Sequence, residues 1–275
     1  MSHAPITSLH SPHVERVKAL LGPRGKRLRA LESTFVADGI QSLRSALSSE
    51  TDSAPRIRTL YLTEDGLTRL LRDFTTEQIH AHEVIMVSDQ VMNAMADTET
   101  PQGILALCRY LPLELAKIDE RISKPLQKVA FFWQLQDPGN AGTAIRTADA
   151  CGFDLVIFSD QSVDIYSPKV VRSTAGSLWN IPVVTGVSLS DLEEFAATRE
   201  LGLVAFDGAA ENNFTAIDKS QPTVLVFGNE GRGLPGLSSN FQSVHIPMKG
   251  SAESFNVASA AAIAMYFLST DSDFQ

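Results

Sequence analysis

The sequence predicts an α/β protein of two domains, the second of which is built on a parallel β-sheet. Its length of 275 residues is enough for one large or two ordinary domains. Short apolar segments alternate with segments of helical period along most of the chain. In the second half the apolar segments are almost wholly hydrophobic, which is typical of parallel strands covered by helices on both faces.

The composition excludes several classes of protein. A hydrophobic fraction of 44% and a mean hydropathy near zero are typical of soluble globular chains. No apolar run reaches the ~18 residues of a membrane span, and the first residues lack the pattern of a signal peptide. Cys108 and Cys151 lie in apolar surroundings without metal-ligand spacing. We therefore expect a cytoplasmic protein with reduced cysteines, no membrane association and no bound metal.

The charge distribution suggests where a nucleic acid could bind. The net charge of −9 argues against broad nonspecific binding of nucleic acid, so DNA is not an expected partner. Within the first 30 residues, however, six basic residues accompany a single acidic one. A local basic patch of this kind can bind phosphates, and a solvated helix face is the equally weighted alternative. The candidate RNA-binding residues are Arg24, Lys26, Arg27 and Arg29.

The first 110 residues alternate between strand and helix patterns and are predicted to form one α/β domain. The predicted helices cover residues 14–21, 26–31, 39–47, 64–74 and 90–95, and the predicted strands cover 34–37, 57–63, 82–87 and 103–110. His80 and His82 have no third ligand near them and are interpreted as surface residues. This domain presents no group of residues suited to acid–base chemistry.

Residues 111–125 are amphipathic and charged and contain Pro112 and Pro125, so they are predicted to be a partly helical linker. The second domain is predicted to cover residues 126–275. Its predicted strands cover residues 129–133, 155–158, 182–186, 203–206, 224–227 and 243–248, and its predicted helices 141–150, 189–198 and 257–268. Alternation of this kind favours a parallel sheet between two layers of helices.

Three polar loops that contain glycine follow predicted strands of the second domain, at residues 137–142, 228–236 and 249–256. Ligands of parallel sheets bind at the carboxyl ends of the strands, so these loops form the candidate site. The patterns are N-x-G-x-x-x-R from Asn140, F-G-N-E-G-x-G from Phe227, and I-P-M-x-G-x-x-E-S-F-N-V from Ile246.

Each loop also has a simpler interpretation. Asn140, Ser254 and Asn256 are residue types that cap helix N-termini. Arg146 either holds an RNA phosphate with both arms of its guanidinium or forms a surface pair with Asp149.

The second loop also contains a G-x-G-x-x-G pattern, which is typical of dinucleotide-binding proteins. Only residues 237–242 separate this loop from the next strand, which is too short for the helix of a βαβ unit. A dinucleotide oxidoreductase is therefore disfavoured. We expect that the glycines instead let a bent backbone approach a ligand closely.

The three patterns together, in this order and spacing, resemble the SpoU family of RNA ribose 2′-O-methyltransferases, within the SPOUT superfamily. The resemblance covers roughly residues 126–275. Residues 10–110 are similar, more weakly, to the family's N-terminal substrate-binding domain, which resembles ribosomal protein L30e. That similarity depends on Pro12 to Val17, Lys26 to Arg29 and Phe35-Val36-Ala37-Asp38-Gly39.

The resemblance implies a C-terminal SPOUT domain with a trefoil knot, an S-adenosylmethionine cofactor held in the knot, and a homodimer. The cofactor-binding residues that it implies are Gly228, Ile246, Met248 and Phe255. The catalytic set that it implies is Asn140, Arg146, Glu230, Ser254 and Asn256. Because a guanidinium is a poor base, Arg146 is expected to orient the ribose through the adjacent phosphate and to accept the proton late.

The chain departs from the family pattern at three positions, with Phe255 in place of leucine, Ala258 in place of serine and Asp38 in place of glutamate. These departures bear on the RNA target more than on the reaction. The expected function is S-adenosylmethionine-dependent methylation of a ribose 2′-hydroxyl in structured RNA, with rRNA, 23S in particular, favoured over tRNA. The alternatives are a tRNA 2′-O-methyltransferase and a non-catalytic RNA-binding module. The apolar helix over residues 257–268 is expected to be buried in the core or against a partner.

Overall fold

The computed structural model describes residues 4–49, 56–111, 113–229 and 231–270. Up to residue 111 the helices are α1 (Pro12–Leu21), α2 (Gly25–Glu32), α3 (Ile40–Ser48), α4 (Glu64–Leu70), α5 (Thr76–His80) and α6 (Asp89–Met95). The strands of this part are β1 (Thr34–Asp38), β2 (Ile57–Leu62), β3 (Glu83–Met86) and β4 (Ile104–Arg109). The predicted elements are present, whereas α5 was not predicted because it is a single short turn that begins with a Thr75 capping box.

From residue 113 onward the helices are α7 (Ile118–Arg121), α8 (Pro138–Ala150), α9 (Pro168–Ser173), α10 (Leu189–Thr198) and α11 (Val257–Ser269). The strands are β5 (Lys128–Phe132), β6 (Leu155–Ser159), β7 (Val183–Val187), β8 (Gly202–Phe206), β9 (Asn212–Asn213), β10 (Thr223–Phe227) and β11 (Phe241–His245). α9 and β9 were not predicted. The predicted strand over residues 243–248 was placed too late, because β11 ends at His245 and the chain continues without regular structure.

Two sheets organise the chain. The first has the order β1-β4-β2-β3, with antiparallel pairs on both sides of β4 and a parallel β2–β3 pair. The second has the order β7-β6-β5-β10-β8-β11-β9, and all its neighbouring strands are parallel. The parallel sheet confirms the predicted α/β class. Because its strands run in one direction, their carboxyl ends lie along one edge of the sheet.

The chain divides into two compact units, and the division is not a single cut. One unit comprises residues 1–111 together with 164–180, and the other comprises 112–163 together with 181–275. Residues 164–180, which include α9, thus belong to the first unit although they lie in sequence among the strands of the second. The aromatic ring of Phe35 in β1 packs 4.9 Å from the ring of Tyr166 and 5.4 Å from that of Trp179.

Each unit has its own hydrophobic core. In the first unit, α1 and α6 pack on the sheet through buried residues that include Val14, Val17, Val91 and Leu105. In the second unit, buried residues of the parallel sheet pack with α10. Ile118, from the predicted linker, is fully buried in this second core. The helical part of the linker is therefore integrated into the second unit.

The described residues contain no helix that is both long and apolar enough to cross a lipid bilayer. Neither Cys108 nor Cys151 is part of a disulfide, and Cys108 is buried. Within the same residues, no group of three or more His, Cys, Asp or Glu side chains could hold a metal ion.

Candidate active site

A cavity of about 380 Å³ lies at the carboxyl ends of β8, β10 and β11 and at the start of α11. This volume is within the range of small-molecule sites. The apolar lining residues are Phe206, Phe227, Val244, Ile246, Met248, Phe255, Val257 and Ala260, and the glycines are Gly208, Gly228, Gly231 and Gly233. The polar lining residues are Asp207, Asn229, His245, Glu253, Ser254 and Asn256.

The residues that the sequence predicts to bind the cofactor all line this cavity. They are Gly228, Ile246, Met248 and Phe255. Met248 and Phe255 are 38% and 42% exposed, which is high for large apolar side chains and leaves their surface available to a ligand.

Gly228 is a glycine because the second loop folds back on itself. A Cβ atom at this position would lie 2.6 Å from the carbonyl carbon of Gly233, a distance that real Cβ atoms do not adopt. Asn229 and Gly233 exchange two backbone hydrogen bonds, at 3.0 and 2.9 Å, which close the loop into a tight turn. The close approach at Gly228 is therefore made by the loop's own backbone.

The starts of α8 and α11 are joined by two asparagines. The Asn256 side-chain oxygen accepts the N–H groups of Ala258, at 2.9 Å, and Ser259, at 3.3 Å, which caps α11 as predicted. Its Nδ2 atom donates to Asn140 Oδ1 at 3.1 Å. One side chain thus caps a helix and orients a second asparagine that lies 116 residues earlier in the chain.

Asn140 does not cap α8. The cap is Asp137, whose Oδ1 accepts the Asn140 N–H at 2.8 Å, and Pro138 follows in the first helical turn. The helix begins earlier than predicted because proline is favoured in its first turn. The side chain of Asn140 consequently faces Asn256 instead of capping its own helix.

Arg146 lies away from the cavity. Arg146 is exposed on α8, six residues after Asn140 and thus about 9 Å further along the helix axis. It is not among the residues that line the cavity. Glu230, the remaining predicted catalytic residue, lies outside the described residues.

Sequence reasoning assigned no role to four polar residues of the cavity, which are Asp207, Asn229, His245 and Glu253. Asp207 and His245 lie at the carboxyl ends of β8 and β11, so position after or at a strand end was the available signal. Asn229 lies within the F-G-N-E-G pattern itself. Among the described lining residues the charged groups are the carboxylates of Asp207 and Glu253, so the cavity favours a cationic ligand.

The predicted RNA-binding residues are divided by their burial. Arg24, Lys26 and Arg27 are exposed around the start of α2. Arg29 contradicts the prediction, because it is only 4% exposed and its Nη2 atom lies 2.6 Å from the carboxylate of Asp164. Its Nη1 atom donates to the carbonyl of Leu20. A guanidinium with these buried partners stabilises the first unit and is not available to a phosphate.

Comparisons with known proteins agree with this arrangement. Residues 128–266 match the model of the SpoU rRNA Methylase family, and residues 14–106 match that of the MRM3-like substrate binding domain. The chain is 34% identical over 264 residues to the 23S rRNA (guanosine(2553)-2′-O)-methyltransferase RlmP of Bacillus subtilis, with 94% of this chain and 98% of that protein covered. It is 33% identical to the 23S rRNA (uridine(2479)-2′-O)-methyltransferase of Streptomyces viridochromogenes, with 90% and 86% covered.

Solved structures show the same similarity over nearly the whole chain. An AdoMet-bound rRNA methyltransferase from Sinorhizobium meliloti has a TM-score of 0.82 at 27% identity, with 96% of this chain and 97% of that chain covered. The SpoU methyltransferase AviRb from Streptomyces viridochromogenes, in complex with AdoMet, has a TM-score of 0.78 at 28% identity, with 94% and 97% covered.

Proposed function

Because this chain belongs to the SpoU rRNA methylase family, we propose that it transfers a methyl group from S-adenosylmethionine to a ribose 2′-hydroxyl of 23S rRNA. The observation that carries the proposal is the cavity at the strand ends, where the second and third sequence patterns meet. Similarity to two 23S rRNA 2′-O-methyltransferases over most of their length supports the substrate class.

The cavity suits S-adenosylmethionine in size, polarity and charge. Its volume of about 380 Å³ is that of a site for a small organic molecule. Phe206, Phe227 and Ile246 supply apolar surface for an adenine ring, whereas Asp207 and Glu253 supply negative charge next to a positively charged sulfonium. AdoMet is also the ligand named for two of the similar structures.

The cofactor, when bound, supplies an activated methyl group, so the protein must align the ribose oxygen and help to remove its proton. The Asn140–Asn256 pair lies at the rim where α8 and α11 begin, and it would fix the position of a ribose there. Ser254 lines the cavity two residues earlier and would shape the same wall. Arg146 would hold the adjacent phosphate, because its guanidinium binds phosphate with two parallel hydrogen bonds. Glu230 is assigned to the same step by the sequence pattern alone.

The first unit is proposed to bind the RNA through Arg24, Lys26 and Arg27, since all three are exposed and close in sequence. The boundaries of the functional domains are proposed at residues 1–110 and 126–275, with the linker between them. Action on rRNA supports a cytoplasmic location, which is part of the same proposal. The trefoil knot of the second domain is also proposed and is supported by the family membership.

The test of this function is methylation by the purified protein, with S-adenosylmethionine labelled in its methyl group. The substrates are 23S rRNA from cells with and without the gene, and tRNA. We expect label only in 23S rRNA from cells that lack the gene, at a single nucleotide whose 3′ phosphodiester resists alkaline hydrolysis. The relatives' names specify guanosine in one case and uridine in the other, so the mapped position also identifies the nucleoside. Label in tRNA alone, or on a base, would contradict the proposal.

A homodimer through α11 is proposed as well. Val257, Ala261, Ala264 and Met265 bury one side of this helix within the chain. On another side Tyr266 is 59% exposed and Ile263 is half-buried, which leaves apolar surface for a second copy. Light scattering of the wild type at micromolar concentration is expected to give twice the chain mass of 29.8 kDa, and Tyr266→Glu to give the chain mass. A wild-type monomer would refute the dimer.

A further inference from the structure

The side chain of Asn229 ties together two loops of the active site that are far apart in sequence. Its Oδ1 atom accepts the N–H groups of Gly231, at 2.9 Å, and Arg232, at 3.1 Å. These two bonds shape the turn whose glycines line the cavity. Its Nδ2 atom donates to the carbonyl of Gln134 at 2.7 Å, across 95 residues of sequence.

Gln134 is held from its other side as well. Its N–H donates to the Oγ of the buried Ser159 at 2.7 Å. Its φ of 47° is in the left-handed region, which non-glycine residues adopt only when their surroundings fix it. Three residues further along, Asp137 caps α8. The carbonyl that Asn229 holds therefore lies in the segment that sets where α8 begins.

We propose that Asn229 is a positioning residue, which couples the wall of the cofactor cavity to the placement of Asn140 and Arg146 on α8. The inference rests on the methyltransferase function proposed above. A carboxamide is needed because the position requires an acceptor for two N–H groups and a donor for one carbonyl. Loss of the donor would leave the cavity formed but let the start of α8 move.

Asn229→Asp separates the two halves of this role. The carboxylate still accepts from Gly231 and Arg232, but it places an anionic oxygen against the Gln134 carbonyl in place of a donor. We expect the dissociation constant of S-adenosylmethionine, measured by calorimetry, to change by less than about tenfold. We expect kcat to fall by about 10²-fold, the scale for catalytic groups displaced by about 1 Å.

The pH dependence provides a readout that a purely structural role would not move. The Gln134 carbonyl raises the pKa of a carboxyl group at position 229, whereas the N–H groups of Gly231 and Arg232 lower it. Wherever that pKa lies, the acid that forms below it regains a donor for Gln134. The ratio of variant to wild-type kcat should therefore rise as the pH is lowered. Asn213→Asp is the matched control, because Asn213 Oδ1 caps Thr215 N–H at 3.0 Å within the same domain and the charge change is equal.

The deciding experiment measures hydrogen exchange in residues 134–142, since it requires no turnover. Asn229→Asp should accelerate exchange in this segment by about tenfold or more, whereas Asn213→Asp should leave it unchanged. Ser159→Ala, which releases the opposite side of Gln134, should have the same effect as Asn229→Asp. Unchanged exchange in Asn229→Asp and Ser159→Ala would overturn the inference. Losses of cofactor affinity and kcat in parallel in Asn229→Asp would overturn it as well. An inactive wild type would count against the proposed function alone.

Discussion

Replacement of Arg29 by alanine distinguishes a structural from an RNA-binding arginine in a cluster where the sequence makes them look alike. Arg29 follows Arg24, Lys26 and Arg27 within six residues. In the structure its side chain is 5% exposed and lies 2.6 Å from the Asp164 carboxylate, whose side chain is 13% exposed. Arg29→Ala therefore leaves a carboxylate in a desolvated position without its cation.

The size of the effect follows from this burial. Exposed ion pairs contribute about 0–1 kcal/mol, but removal of one partner of a buried pair costs about 3–5 kcal/mol. Arg29 also donates to the Leu20 carbonyl, which would be left without this bond. Arg24→Ala, at an exposed position two residues before Lys26, should cost less than about 0.5 kcal/mol. The two alanine variants should thus differ by about 3 kcal/mol or more.

Urea denaturation followed by circular dichroism measures the free energy of unfolding of both variants, and Asp164→Ala completes a double-mutant cycle. RNA affinity over a range of salt gives the second readout. Each lost phosphate contact lowers the salt slope by about 0.7–0.9, which is expected for Arg24→Ala and not for Arg29→Ala. An Arg29→Ala protein as stable as Arg24→Ala, or with a reduced salt slope, would refute the structural assignment.

Three further variants test the site and the pH dependence. Arg146→Ala should leave S-adenosylmethionine affinity nearly intact and lower the rate of single-turnover methyl transfer by about 10²-fold. Arg146→Lys should restore little of that rate, and a near-normal rate for Arg146→Ala would contradict the role of Arg146 at the phosphate. Asp207→Asn should weaken binding of the cationic S-adenosylmethionine, measured by calorimetry, more than binding of S-adenosylhomocysteine. Asp218→Asn is the control, because Asp218 closes its own turn as Asp207 does, and it should change neither affinity. Equal weakening of both ligands by Asp207→Asn would contradict the charge argument. Burial raises the pKa of Asp154, but hydrogen bonds from Lys124 and two backbone N–H groups outweigh it and hold this pKa below its usual value. The Asp154 carboxylate should therefore stabilise the protein at neutral pH, and this stabilisation should be lost as the pH falls below about 4. Asp154→Asn should remove this part of the pH dependence of the free energy of unfolding, and an unaltered pH profile would contradict the assignment.

Periodicity predicted most elements of the fold because most of them have one strongly apolar face. The strands β5, β6 and β10 are almost wholly buried and read as continuous apolar runs. α9 escaped prediction because it has only six residues and its surroundings, not its period, decide its structure. The integration of residues 164–180 into the first unit depends on contacts between distant residues, such as Arg29 with Asp164, which no local pattern contains.

The site was predictable where a residue type has one role and not where it has several. The family resemblance implied Gly228, Ile246 and Phe255 as cofactor-binding residues, and all three line the cavity. The roles of the asparagines were harder to predict, because a side-chain amide can cap a helix, close a turn or join two segments. Asn256 performs the first and third roles, Asn229 the second and third, and Asn140 was assigned the capping role that Asp137 performs.

This division among the asparagines follows from how a parallel sheet builds a site. Its loops meet at one edge without a continuous backbone ladder between them, so side chains that cross between loops help to fix their relative positions. A carboxamide is suited to this because it donates and accepts at once without the desolvation cost of a charge. Asn256 joins the third loop to α8, and Asn229 joins the second loop to the segment before α8. The start of α8 is thus held from two directions, which is the rigidity that alignment of a ribose with a bound methyl donor requires.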